Sequence, residues 1–241
     1  MLKIKNLHYS YGTVKALDDV SLEISEGELV SLVGVNGAGK TTLIKCIIGL
    51  LEPDSGTITI SNQNVKDNPI SFKRMIGYVP EVPFIYKYLT GREYLEFIAD
   101  VYKLDNAEKN VKIDYFLNLL NLSDKQNNLI ETYSYGMIKK ISIIGALLSS
   151  PELLILDEPL IGLDPESSYK FKQKLATFKN EGHSILFSSH ILEVVEKISD
   201  RIVIIHKGKI IASGDLDSLK NKAKKEGNLE EIFLNIKNNV S

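Results

Sequence analysis

The chain has 241 residues, of which 25% are charged and 44% hydrophobic, and a net charge of −2. That is long enough for a large core, and bulk charge favours neither nucleic acid nor an anionic membrane surface. Its one cysteine, Cys46, excludes an internal disulfide and fits a reducing compartment, so we read it as a small buried hydrophobe.

The N-terminus has no apolar stretch of signal-peptide length. The longest apolar runs, such as 141–148, are too short to cross a bilayer. Any membrane role is therefore expected to come through a partner.

Strand-like runs come first, at 2–7, 16–24, 29–33, 56–60 and 75–79. Turn signals such as Ser25-Glu26-Gly27 and Glu52-Pro53-Asp54-Ser55-Gly56 separate them. After the third run stands Gly34-Val35-Asn36-Gly37-Ala38-Gly39-Lys40-Thr41, which reads G-x-x-x-x-G-K-[ST]. A helix is predicted to follow from Thr42 to Ile48, closed by Gly49. Glycines let successive backbone N–H groups point at a phosphate chain, and the helix N-terminus adds partial positive charge. Lys40 can bridge the β- and γ-phosphates, and the Thr41 hydroxyl can ligate Mg²⁺. Asn36, Ala38 and Thr42 complete the predicted phosphate-binding stretch.

After Pro80 the texture changes. Residues 88–122 read as amphipathic helices, with Tyr94, Leu95, Ile98, Val101 and Tyr102 on one face and Ile113, Phe116, Leu117 and Leu120 on another. The aromatics here are expected in the core. Beyond Pro151, strand and helix alternate again. An apolar strand over 153–156 ends in Asp157-Glu158, and such strands deliver catalytic groups at their carboxyl ends. Asp157 is placed to hold Mg²⁺, directly or through water, and Glu158 to polarise a water against the γ-phosphate. A helix at 165–179, a strand at 184–188 and a helix at 191–198 follow. A hairpin is predicted over 201–205 and 209–212 around Lys207-Gly208. Two short helices are predicted within 216–237, with Leu229, Ile232, Phe233 and Ile236 on one face. The pattern is a mostly parallel α/β core with a helical insertion at roughly 82–150.

With these residues in this order, the chain resembles the ATP-binding subunits of ABC transporters over nearly its whole length. Tyr133-Ser134-Tyr135-Gly136-Met137 resembles the family's signature L-S-G-G-Q, matching at Ser134 and Gly136 and departing at the first, third and fifth positions. Gly162-Leu163-Asp164 resembles the D-loop that lines the subunit interface. Ser188-Ser189-His190 resembles the switch histidine that contacts the γ-phosphate. Tyr11 matches the aromatic that stacks on adenine, with Tyr9 as the alternative. Glu81 stands in Ile76-Gly77-Tyr78-Val79-Pro80-Glu81 where the family usually has Gln, and keeps an oxygen for Mg²⁺ or water. Together with the signature variant, Glu81 resembles the branch that serves ABC-2 type exporters.

The resemblance implies a P-loop NTPase (RecA-like) α/β core with a β-rich N-terminal subdomain and an inserted α-helical subdomain. Residues 1–241 would form a single ABC ATPase domain. Its catalytic core would comprise 1–81 and 151–220, with 82–150 the helical subdomain and 221–241 a short helical tail. It further implies ATP and Mg²⁺ as ligands and a second ATPase subunit, identical or a close paralogue, as partner. An integral membrane permease would hold the protein on the cytoplasmic face, and no nucleic acid is expected. The rival class, a soluble ABC-type ATPase acting in translation or on DNA, usually carries two cassettes or long insertions. This chain has one cassette and no basic patch. A switch GTPase or small-molecule kinase would leave Ser134-x-Gly136 unexplained, and a guanine-specifying N-K-x-D is absent.

Overall fold

The computed structural model describes residues 1–223 and 227–239. The expected pair of helices within 216–237 and the expected tail therefore fall partly outside the described residues, at 224–226 and 240–241.

Two sheets share one helix between them. The first is antiparallel, in the order β2-β1-β4-β5, built from β1 (Leu2–Tyr11), β2 (Val14–Ile24), β4 (Ser55–Ile60) and β5 (Gln63–Asn64). The second runs β10-β9-β3-β8-β7-β6. Its parallel strands are β9 (Arg201–His206), β3 (Leu29–Val33), β8 (Ser184–Ser188), β7 (Leu153–Asp157) and β6 (Ile76–Val79), and β10 (Lys209–Gly214) closes one edge in antiparallel. β3, β7 and β8 are buried along their whole length. That is why they read as continuous apolar runs, as strands covered on both faces do.

Alternate residues of those strands feed two cores. Val30, Leu32, Ile155, Leu186, Val203 and Ile205 face α1 (Lys40–Ile47) and the first sheet, where Leu2, Ile4, Leu7, Leu17 and Ile24 meet Leu43, Ile44 and Ile47. Cys46 is buried in this core, and burial pushes its thiol up to about 11, so it acts there as an inert apolar group. Leu29, Val33, Leu154, Leu156, Ile185, Phe187, Ile202 and Ile204 face the opposite way. They pack against α5 (Tyr135–Leu148), α6 (Pro165–Asn180), α7 (Leu192–Ile198), α8 (Leu216–Ala223) and α9 (Leu229–Asn238). Each fully buried leucine or isoleucine contributes about 1.5–3 kcal/mol. The tail helix is anchored this way, since Leu229, Ile232, Phe233 and Ile236 are all buried.

Between β6 and β7 lie α3 (Gly91–Val101) and α4 (Asn106–Leu119), both packed on α5. A capping box starts α3: Thr90 Oγ1 accepts from Glu93 N at 3.2 Å, and Glu93 Oε2 accepts from Thr90 N at 2.8 Å. Here the sequence reading needs correction. Leu95, Ile113, Phe116, Leu117 and Leu120 are buried, but Val101 is 53% exposed at the last turn of α3. Phe97, Tyr115 and Tyr88 are also exposed. The two helices bury only a narrow stripe against α5, and aromatics off that stripe stay at the surface. The segment 75–79, met early among antiparallel strands, belongs to the other sheet, where β6 pairs parallel with β7. The short helix α2 (Pro69–Arg74) was not predicted. Asn68 caps it, its oxygen accepting from Ser71 N at 3.1 Å, and Pro69 opens it.

Candidate active site

The strand order does the positioning. Neighbouring parallel strands β3, β8, β7 and β6 end side by side. Their carboxyl ends carry, respectively, the 34–41 loop, Ser189-His190, Asp157-Glu158 and Glu81. Register makes this local: Asp157 pairs with Ser188, and Val79 with Leu156.

A cleft of about 850 Å³ opens there, lined by Gly34, Asn36, Gly37, Ala38, Gly39, Lys40, Thr41, Thr42, Glu81, Asp157, Glu158 and His190. Tyr11, at the tip of the β1–β2 hairpin, lines its rim. Tyr9 does not line it. Tyr9 packs on the core behind, edge-on to Tyr11 with ring centroids 4.9 Å apart. The first sheet thus supplies an exposed aromatic to a cleft built by the second.

Gly34 and Gly39 are required by close approach. A Cβ on Gly34 would meet the Ile205 carbonyl at 2.5 Å. Gly39 caps α1 with φ +109, a conformation that disfavours any side chain, and a Cβ there would meet the Ala16 carbonyl at 2.8 Å. The first-turn N–H groups of α1, which have no intrahelical acceptor, are therefore presented to the cleft. Lys40 Nζ donates to the Gly34 carbonyl at 2.6 Å and the Val35 carbonyl at 3.3 Å. Burial pulls its ammonium down, opposed by Glu158, Asp157 and Glu81.

Glu158 is held firmly. It is buried, and its φ of +47 is rare for a residue with a long side chain. Ser189 Oγ donates to its Oε2 at 3.1 Å, and His190 Nδ1 meets its Oε1 at 2.8 Å. Ser189 is a site residue that the sequence reading missed; its only signal was adjacency to His190. Burial raises Asp157, and Glu81 and Glu158 push the same way.

Three carboxylates around one cleft form a negative cluster that a divalent cation would neutralise. Among the described residues no three His, Cys, Asp or Glu side chains form a metal cage. The Asp157 and Glu81 carboxylates and the Thr41 hydroxyl on the cleft are hard oxygen donors of the kind Mg²⁺ takes one or two of, its shell being completed by phosphate and water.

Ser134, Gly136 and Asp164 lie outside this cleft. Ser134 caps α5, its Oγ accepting from Met137 N at 3.3 Å. Gly136 lies against the turn at Gly162, where a Cβ would meet the Gly162 carbonyl at 2.4 Å. Asp164 caps α6, accepting from Ser167 N at 2.9 Å, and pairs with Lys140 Nζ at 2.7 Å. That hydrogen bond from Lys140 holds its carboxyl well below the usual range. Asp164 is thus engaged in fixing the turn. The structure also reveals Lys139, fully buried on α5, whose ammonium donates to the carbonyls of Pro80 at 2.8 Å, Glu81 at 3.0 Å and Asp157 at 3.3 Å. Burial pulls it down to about 8.

A model of the family described as "ABC transporter" matches residues 17–161. The chain belongs to this ABC transporter family. Among relatives of this ABC ATPase, the ABC transporter ATP-binding protein NatA of Bacillus subtilis is 37% identical over 222 residues, 92% of this chain and 90% of NatA. An uncharacterised ABC transporter ATP-binding protein, all4389 of Nostoc, is 40% identical over 208 residues. That match covers 86% of this chain and 62% of the relative's length. Among solved structures, an ATP binding subunit of an ABC transporter superposes with a TM-score of 0.95 at 36% identity, covering 98% of this chain and 99% of that one. The ATP-binding cassette MJ0796, dimeric in a post-hydrolysis state with ADP and Pi, superposes with a TM-score of 0.82 at 26% identity. The two chains are covered to 90% and 99%. This ABC ATPase therefore hydrolyses ATP on a P-loop NTPase fold. Among its described residues no helix is long and apolar enough to cross a membrane.

Proposed function

We propose that this subunit works as a head-to-tail pair, identical or paralogous, that powers export through a separate integral membrane permease. Each ATP would lie between the 34–41 loop of one chain and Ser134-x-Gly136 of the other. The observation that carries this reading is the separation of Ser134 and Gly136 from their own chain's cleft, with Ser134 exposed at a helix N-terminus. A single chain holds half of each site, in keeping with the dimeric MJ0796 cassette. The direction of transport rests on the resemblance of Glu81 and Tyr133–Met137 to the ABC-2 exporter branch.

Thr41, Asp157 and Glu81 would hold Mg²⁺, which neutralises charge on the β- and γ-phosphates. Lys40 binds those phosphates as a point charge. Glu158 takes a proton from the attacking water, its two oxygens aimed by Ser189 and His190. His190 reaches the γ-phosphate through its other ring nitrogen. Tyr11 stacks on adenine. Tyr11→Ala is expected to weaken ATP binding by the worth of one base–aromatic stack, about 1–3 kcal/mol, and Tyr9→Ala by less. Nucleotide titration of both variants checks this, and the opposite ranking assigns the role to Tyr9.

Support for a membrane partner comes from the segment just beyond Glu81. Val82, Phe84 and Tyr88 are 72%, 97% and 85% exposed. Phe84 lies at a groove of about 390 Å³ also lined by Tyr78, Pro80, Tyr94, Ile98 and Tyr102. An exposed apolar run with one of its side chains at a groove supports a docking surface here. The protein would then sit on the cytoplasmic face of the membrane. Co-purification from detergent-solubilised membranes tests the reading: the parent should bring down a polytopic protein, and Phe84→Asp should lose it while keeping ATP turnover. A parent that co-purifies with ribosomes or DNA instead would favour the soluble ABC ATPase class.

A further inference from the structure

One main-chain oxygen is gripped twice. The Glu81 carbonyl accepts from Tyr135 Oη at 3.0 Å and from Lys139 Nζ at 3.0 Å. Tyr135 and Lys139 are four residues apart on α5, hence on one face of it. Lys139 continues to the Pro80 and Asp157 carbonyls, so a single ammonium joins the loop after β6 to the end of β7. The Tyr135 ring is itself seated. Gly162 has φ +83, and a Cβ there would come within 2.6 Å of a ring carbon. Only a residue without a side chain leaves room for the ring at this turn. Tyr135 also occupies the third position of the signature, where the family form has glycine. A glycine would offer no hydroxyl to Glu81, so this link exists in the chain because of that departure.

We propose that Tyr135 is a positioning residue for Glu81: with Lys139 it fixes the Glu81 backbone and so sets where that carboxylate stands in the cleft. The clamp also ties a chain's own cleft to the Ser134-x-Gly136 surface. The inference rests on the reading of Glu81 as a group of the hydrolytic site.

The test is a mutant cycle on the full chain, read as ATP turnover. Tyr135→Phe keeps the ring on Gly162 and removes only the hydroxyl. It is expected to lower kcat about threefold to tenfold, the worth of one hydrogen bond, with KM for ATP unchanged because the phosphate loop and Tyr11 are untouched. In a Glu81→Ala background the same substitution should change nothing further, since no carboxylate remains to be placed. Lys139→Met, which keeps the stem and loses the ammonium, should lower kcat in the same direction and by more. Should Lys139→Met fail to fold, the Tyr135→Phe comparison decides alone. Parental turnover in Tyr135→Phe overturns the proposal, as does an equal loss with and without the Glu81 carboxylate. If Glu81→Ala alone turns over ATP like the parent, the reading of Glu81 has failed, and any remaining Tyr135→Phe defect arises elsewhere. The two failures are therefore distinct.

Discussion

Glu158→Gln is expected to keep ATP bound and to lower its turnover by about 10²–10⁴-fold, the usual cost of losing a general base. The amide preserves length and shape, and its oxygen can still accept from Ser189, so the surroundings are retained. What disappears is the charge proposed to take the proton of the attacking water. With chemistry stopped, ATP should hold two chains together. Size measured with and without ATP and Mg²⁺ should show a dimer only with nucleotide. Turnover at the parental rate would refute the role of Glu158, whatever the oligomeric state.

Lys40→Ala is expected to abolish ATP binding. The ammonium stands at the start of α1, half-buried among the loop carbonyls of Gly34 and Val35. No other described lysine or arginine except Lys15 lines the cleft. Hydrogen bonds to an ionised phosphate are about twice as strong as neutral ones, so alanine removes the strongest single attraction for the β- and γ-phosphates. Ser134→Arg makes the informative contrast. Ser134 lies outside the cleft, so this variant should bind ATP as a monomer with near-parental affinity and yet fail to pair. Isothermal titration together with sizing separates the two effects. Equal loss of nucleotide affinity in both variants would contradict a site shared between chains.

Much of this site was legible because it is local in sequence. The loop Gly34–Thr41 with its flanking strand and helix, and the acids closing the run 153–156, carry their chemistry within a few residues. The parallel sheet then brings the strand ends together. Its place before Gly12 favours Tyr11 over Tyr9, and the structure puts Tyr11 on the cleft rim and Tyr9 against the core. What escaped was long-range. Nothing in Ile138-Lys139-Lys140 distinguishes a fully buried ammonium from a solvated one, since its acceptors are carbonyls 58 and 18 residues away. Ser189 stands next to His190, but its acceptor Glu158 lies 31 residues away in the sequence. The helix α2 is six residues with a single buried side chain, Phe72, too short for periodicity to reveal. Val101 satisfied the helical spacing and still faced outward, because spacing identifies a face but not how far the partner helix extends.

The conformation of Glu158 has a consequence for the thermal tolerance of the protein. A side chain held at positive φ costs about 1–3 kcal/mol, and the Asp157 carboxyl raised by burial and by its acidic neighbours costs folding free energy at neutral pH. Because that folded-state value lies above the unfolded one, the penalty fades as pH falls below both. The fold is therefore least comfortable where it is most reactive. Removing that raised carboxyl should harden the protein while silencing it, so Asp157→Asn should melt above its parent when no nucleotide is present. Selection for heat resistance and selection for turnover would then act on this strand end in opposite directions.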